Sequence, residues 1–197
     1  VASLTSTNNF INFCAGQTIH QGTQNPRGTC NPAPMGILVA SNRIPSSKFV
    51  FPAHGSTLLS NSTFTIRLAL WNVETGIIAN ETSNFLSAPQ QVNTSGQVRG
   101  HARVVIEKLH SLEQTTVTDP TCFAFSRTLE PQTGVKELRG NVTYGLPAGF
   151  YRLSSVVVAS NHQPVLLSVL QHGAINDAVY VSKPRSLALR DPHAHFY

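Results

Sequence analysis

Between Thr63 and Trp71 apolar and polar side chains alternate. Phe64, Ile66, Leu68 and Leu70 fall on one face, and Thr65 and Arg67 on the other. A period of two marks a half-buried β-strand, because successive side chains leave opposite faces of a pleated chain. No stretch of the 197 residues shows a convincing i, i+3, i+4 apolar period of an amphipathic helix. Charge agrees with this reading. Only 12% of residues are Asp, Glu, Lys or Arg, about half the usual share of roughly 25%. The 37 Ser and Thr residues supply the polarity instead, and a helix bundle would lack the charges that solvate its outer faces.

Further strands are expected at 48–51, 76–79, 100–109, 135–144, 151–159, 164–170 and 178–181, separated by Pro and Gly turns. The stretch Leu146-Pro-Ala-Gly-Phe-Tyr-Arg-Leu153 places Tyr151 at the head of a strand just after a Pro/Gly turn. That is the sequence form of a tyrosine corner, in which the phenol bonds back to the backbone and pins a crossover between sheets. The expected fold is an all-β, antiparallel immunoglobulin/fibronectin-III-like β-sandwich. It tolerates two long loop excursions, 72–100 and 110–137, and no antibody-type Cys pair lies in the sandwich part. Residues 1–45 read as an extended N-terminal arm, 46–182 as the sandwich domain, and 183–197 as a polar C-terminal tail with a short turn at Leu187–Arg190.

Cys14 and Cys30 flank a loop rich in Gly, Thr, Asn and Pro, a spacing that suits a disulfide worth about 3 kcal/mol by the chain-entropy argument. Cys122 is left over and reads as a buried thiol. Sequons occur at Asn61, Asn80, Asn93 and Asn141, not many more than so much Asn, Ser and Thr gives by chance. The chain opens on Val1 with no apolar leader, which reads as a mature terminus after cleavage. Together these features point to an extracellular, secreted glycoprotein. No run approaches the roughly 18 apolar residues of a membrane span. The net charge is +5, but the basic residues form no block, so neither membrane nor nucleic acid is an expected partner.

Chemistry has few candidates. Eight histidines are present. His101 opens a strand, His162 sits in the turn after the strand headed by Tyr151, and His172 ends the next one. Neighbouring strands of a sandwich bring such positions together, and three imidazoles make an open zinc or copper site. Turn histidines that merely shape loops are the plainer reading, and Arg103, on the face of His101, would repel a metal. His193 and His195 form an H-x-H pair in the tail, where chance is the better explanation. No G-x-S-x-G motif occurs, and no pair of the nine acids stands out for glycoside hydrolysis. Glu107 reads as the partner of a nearby Arg or Lys. Trp71 lies on the polar-face register of its strand, where an exposed ring would stack on a sugar; Tyr144, in a loop, is a second candidate. Packing of Trp71 beneath an excursion is the competing reading.

The stretches FVFPAHGSTL, GHARVVIEKL, GLPAGFYRLSSVVVASNHQPV and QHGAINDAVYV resemble a group of small secreted proteins of mushroom-forming fungi. The resemblance covers roughly residues 10 to 182 and implies secretion and a fungal wall or wood-decay setting, with no reaction attached. A weaker likeness is to immunoglobulin-like domains with a Gly-His-x-His strand start and a later His-x-Pro turn, whose histidines are suspected of binding metal. His101 and His162 match that pattern, but Arg103 stands where its second His belongs. The function expected from the sequence is extracellular binding or a structural role without catalysis, at polysaccharide or cell wall. No cofactor is required by this reading. The alternative is a zinc- or copper-binding protein or metalloenzyme using the histidine cluster, and neither reading specifies an oligomeric state.

Overall fold

A computed structural model of the chain describes residues 3–134 and 136–184. Among them there is no α-helix; one 3-10 turn, Ser41–Arg43, precedes the first strand. The strands are β1 (Ser46–Phe51), β2 (Phe64–Trp71), β3 (Val73–Glu74), β4 (Val98–Leu109), β5 (Phe125–Thr128), β6 (Glu130–Pro131), β7 (Glu137–Val142), β8 (Gly149–Ala159) and β9 (Ala178–Lys183). One sheet has the order β1-β2-β7-β6, and the other β3-β4-β8-β9 with β5 also paired to β4. β1 with β2, β2 with β7, β4 with β5, β6 with β7 and β8 with β9 pair antiparallel, and β3 pairs with β4 in parallel. The protein is thus a two-sheet β-sandwich.

By compactness the chain divides into two units. Among the described residues, one comprises 3–45, 72–101 and 157–173, and the other 46–71, 102–134, 136–156 and 174–184. The second unit holds both sheets' longest alternations. Ile66 and Leu68 of β2, Val104 and Ile106 of β4, Leu153 of β8 and Val181 of β9 are fully buried. Burying each Ile, Leu or Val contributes about 1.5–3 kcal/mol, and this set fixes which face of each strand turns inward. Leu138 and Val142 of β7 are buried as well, in register with Leu68 and Phe64 of β2. Tyr151, also buried, donates its hydroxyl to the carbonyl of Pro147 at 3.0 Å. Pro147 lies in the connection that takes the chain from β7 to β8, and so from one sheet to the other.

The first unit is built more from side-chain amides than from strand ladders. Val39, Val98 and Ala159 form its apolar centre, with Val73, Val92, Val165 and Leu167 against them. Gln90, 1% exposed, ties three segments together. Its Nε2 donates to the carbonyls of Ile37 (2.6 Å) and Leu166 (3.0 Å), and its Oε1 accepts from the Leu166 amide at 2.9 Å. Gly36, at φ +102°, lies so close that a Cβ there would stand 2.2 Å from the Gln90 backbone nitrogen. The carbonyl of Met35 accepts from both the Gln90 amide and Gln163 Nε2.

Two expected strands are corrected, the first by this amide network. Residues 164–170 make only isolated bridges, to Val158 and Val39. Pro164 has no N–H to give, and Leu166 bonds to a glutamine side chain instead of to a neighbouring strand. Residues 76–79 are irregular, and the short strand of that excursion is β3, three residues earlier. Within the 110–137 excursion lie two strands not expected, β5 and β6, each too short to show a period.

Candidate functional site

Three places gather exposed or unusual chemistry, each within one unit. The first is a chain of rings in the first unit. His101 and His162 meet edge to face with centroids 4.8 Å apart; Phe85 lies 5.6 Å from His162, and His20 lies 6.2 Å from Phe85. Gly100 positions His101: a Cβ on that residue would stand 2.1 Å from the Val158 carbonyl oxygen, so only glycine lets β4 approach β8 here. His101 is 3% exposed although its strand register pairs it with the exposed Arg103, because the ring of His162 covers it. His162, at φ +73°, places its Nε2 2.8 Å from the Ala79 carbonyl. A carbonyl only accepts, so that nitrogen carries a proton and has no lone pair to give a metal.

His172 is not part of this chain. It is exposed, and its Nδ1 donates to the carbonyl of Gly173 at 2.7 Å. Among the described residues no three His, Cys, Asp or Glu side chains are grouped so as to hold a metal ion. Of the three candidate ligands, the structure therefore brings two together and leaves the third apart. His193 and His195, with the turn at Leu187–Arg190, lie outside the described residues.

The second place is the outward face of the four-stranded sheet. Trp71 is 69% exposed, opposite Ser46 of β1, so the ring is not packed beneath an excursion. Ala69, Arg67 and Thr65 follow it along β2, flanked by Lys48 on one side and by Glu137 and Asn141 on the other. Arg67 holds Glu137 through two bonds of 2.9 Å, and Thr65 Oγ1 donates to Asn141 Oδ1 at 2.7 Å. The guanidinium keeps the Glu137 carboxyl below the usual carboxylate range. Tyr144 is 84% exposed at φ +65°, but it follows Val142, the partner of Phe64 at the opposite end of β2. At about 3.3 Å per residue it stands about 23 Å from Trp71, too far to share one sugar ring with it.

The third place was not foreseen from the sequence. Residues 4–14 and 31–35 of the first unit enclose an open-sided groove of about 890 Å³. Leu4, Ile11, Phe13 and Met35 line it and remain exposed. The Cys14–Cys30 disulfide fastens one wall. The signal was present in the sequence as apolar residues that fit neither a two- nor a 3.6-residue period and so had no core face to join.

Asn61, Asn80 and Asn141 are exposed, whereas Asn93 is half-buried and its amide is taken up by Ser95 and Gln97. Cys122, expected inside, is exposed; its thiol leans on Asp119 at 3.6 Å, because the Asp119-Pro120 break carries it onto a surface turn. Glu107 pairs with Arg152 at 2.7 Å. No helix among the described residues is long and apolar enough to cross a membrane.

The family model described as the CLU5d N-terminal domain matches residues 47–183. The chain belongs to the CLU5d N-terminal domain family. Pathogenicity cluster 5 protein d of Colletotrichum graminicola is 39% identical over 171 residues, which is 86% of this chain and 36% of that protein. The chain thus spans little more than a third of the length of the curated relative it matches. The CLU5d N-terminal domain match takes in Trp71, the Glu107–Arg152 pair and Tyr151, and the groove at residues 4–35 falls ahead of it.

Proposed function

We propose that this chain is an extracellular, glycosylated, non-catalytic binding domain that takes wall polysaccharide on the outward face of its four-stranded sheet. The exposed ring of Trp71 carries the reading. An indole offered to solvent at the end of a strip of hydroxyl, amide and charged side chains is a stacking platform beside hydrogen-bonding partners for sugar hydroxyls. The disulfide supports an oxidising compartment, and three sequons have exposed asparagines. The name of the Colletotrichum relative ties that protein to pathogenicity, a setting in which a wall-facing binding domain has use.

The test is retention of the purified chain on insoluble glucan, chitin and cellulose. Trp71→Ala abolishes retention and leaves thermal stability within about 0.5 kcal/mol, as for an exposed position. Tyr144→Ala, at the far end of β2, leaves retention unchanged. Loss of the proposal follows if no polysaccharide holds the chain, or if Trp71→Ala is held as well as the parent.

A further inference from the structure

The geometry points to a second binding site: the groove of residues 4–14 and 31–35 takes an uncharged, largely apolar small molecule. Its volume of about 890 Å³ falls within the roughly 300–1,000 Å³ of small-molecule sites, which are lined mainly by apolar side chains with a few polar groups. Here the apolar lining is Leu4, Phe10, Ile11, Phe13 and Met35, and the amides of Asn8 and Asn9 supply polarity. Solvent-facing apolar side chains gathered in one concave place mark a binding site more often than chance exposure does.

The walls are held before any ligand arrives. Asn9 and Phe10 both lie at positive φ, 53° and 61°, and an aromatic residue rarely adopts that conformation. Ser6 Oγ holds it by accepting from the Asn8 and Phe10 amides at 3.2 and 3.1 Å. Phe10 then meets Phe13 edge to face at 6.4 Å. Strain kept at a cavity wall is characteristic of ligand clamps.

Two observations choose the occupant. No described lining residue is charged, so an anionic headgroup would lose water and gain no cationic partner. An extended peptide would need backbone bonds, and the walls have few to give. The Ile11 and Phe13 amides are bonded to Asn8 and Phe10, the Ala33 amide to Asn31 Oδ1, and Pro32 and Pro34 have no N–H.

The experiment is a fluorescence titration of the full chain with the uncharged dye Nile red, followed by displacement with 1-dodecanol or dodecanoate at pH 7.5. These two competitors share a chain length and differ in charge. Dye binds and is displaced by dodecanol at least tenfold more effectively than by dodecanoate. Phe13→Asp and, at a more exposed position, Ile11→Asp each weaken binding at least tenfold with an unchanged circular dichroism spectrum. Trp71→Ala, in the other unit, binds dye like the parent, so this site and the polysaccharide face stand or fall separately. The inference is overturned if dye does not bind, if the folded Asp variants bind it normally, if dodecanol fails to displace it, or if dodecanoate does so equally well.

Discussion

Arg152 reaches one oxygen of Glu107 with two nitrogens, Nε at 3.0 Å and Nη2 at 2.7 Å, while Thr118 Oγ1 donates to the other oxygen at 2.5 Å. Burial pushes the Glu107 carboxyl up, and the bonds from Thr118 and Arg152 more than offset this, leaving it below its ordinary value. A carboxylate depressed in the folded state contributes stability that is full above the unfolded value and lost as pH falls through the folded one. Glu107→Gln is therefore expected to cost about 2 kcal/mol at pH 7, the scale of a hydrogen bond to a charged group. The cost shrinks below the unfolded carboxylate range. Urea titrations of both proteins from pH 7 to pH 3 check it, and a cost independent of pH would contradict it.

Lys183 gives a pH slope of the same sign from the opposite cause, a penalty on its charged form. It is 2% exposed, donates to the Leu59 carbonyl at 2.8 Å and lies 4.5 Å above the Phe64 ring. Burial lowers its pKa from 10.5. The folded state thus binds fewer protons than the unfolded one between the lowered value and 10.5, and stability rises with pH across that window. Lys183→Met removes the titration. Measured by urea unfolding, the parent gains on this variant as pH climbs toward the unfolded lysine value; parallel curves would refute the assignment.

Tyr151→Phe deletes one bond and no packing. Pro147 is exposed, so its carbonyl recovers a water, and the expected loss is about 1 kcal/mol. A shift in the denaturation midpoint without a change of slope is the signature.

Gln90→Met keeps the length of the side chain and removes bonds to Ile37 and Leu166 in a site closed to water. Orphaned carbonyls and an amide inside cost about 1–3 kcal/mol each at most, so a loss of at least about 2 kcal/mol is expected. Hydrogen exchange at Leu166 rises more than at Ile66 of β2, because the damage is confined to the amide network.

The strands β1, β2, β4, β7, β8 and β9 were legible because alternation is local: Ile66 and Leu68 announce their face without reference to any other segment. Glu107 was legible in kind, since a carboxylate on a half-buried strand needs a cation; that Arg152 and Thr118 both serve it was not. The register of β4 put His101 beside Arg103 on one face, and only the turn carrying His162 decided that one is buried and the other exposed. Trp71 lay between platform and core until its 69% exposure in the sheet decided it.

The sequence by itself determined a pleated, two-layer chain with a short disulfide loop, because period, turn residues and cysteine spacing act over a few neighbours. The tertiary structure alone decided the Gln90 hub, the meeting of His101 with His162 and the groove walled by residues 4–14 and 31–35. Each depends on side chains brought together from distant segments, and nothing in the local pattern of a segment records which distant one it will touch.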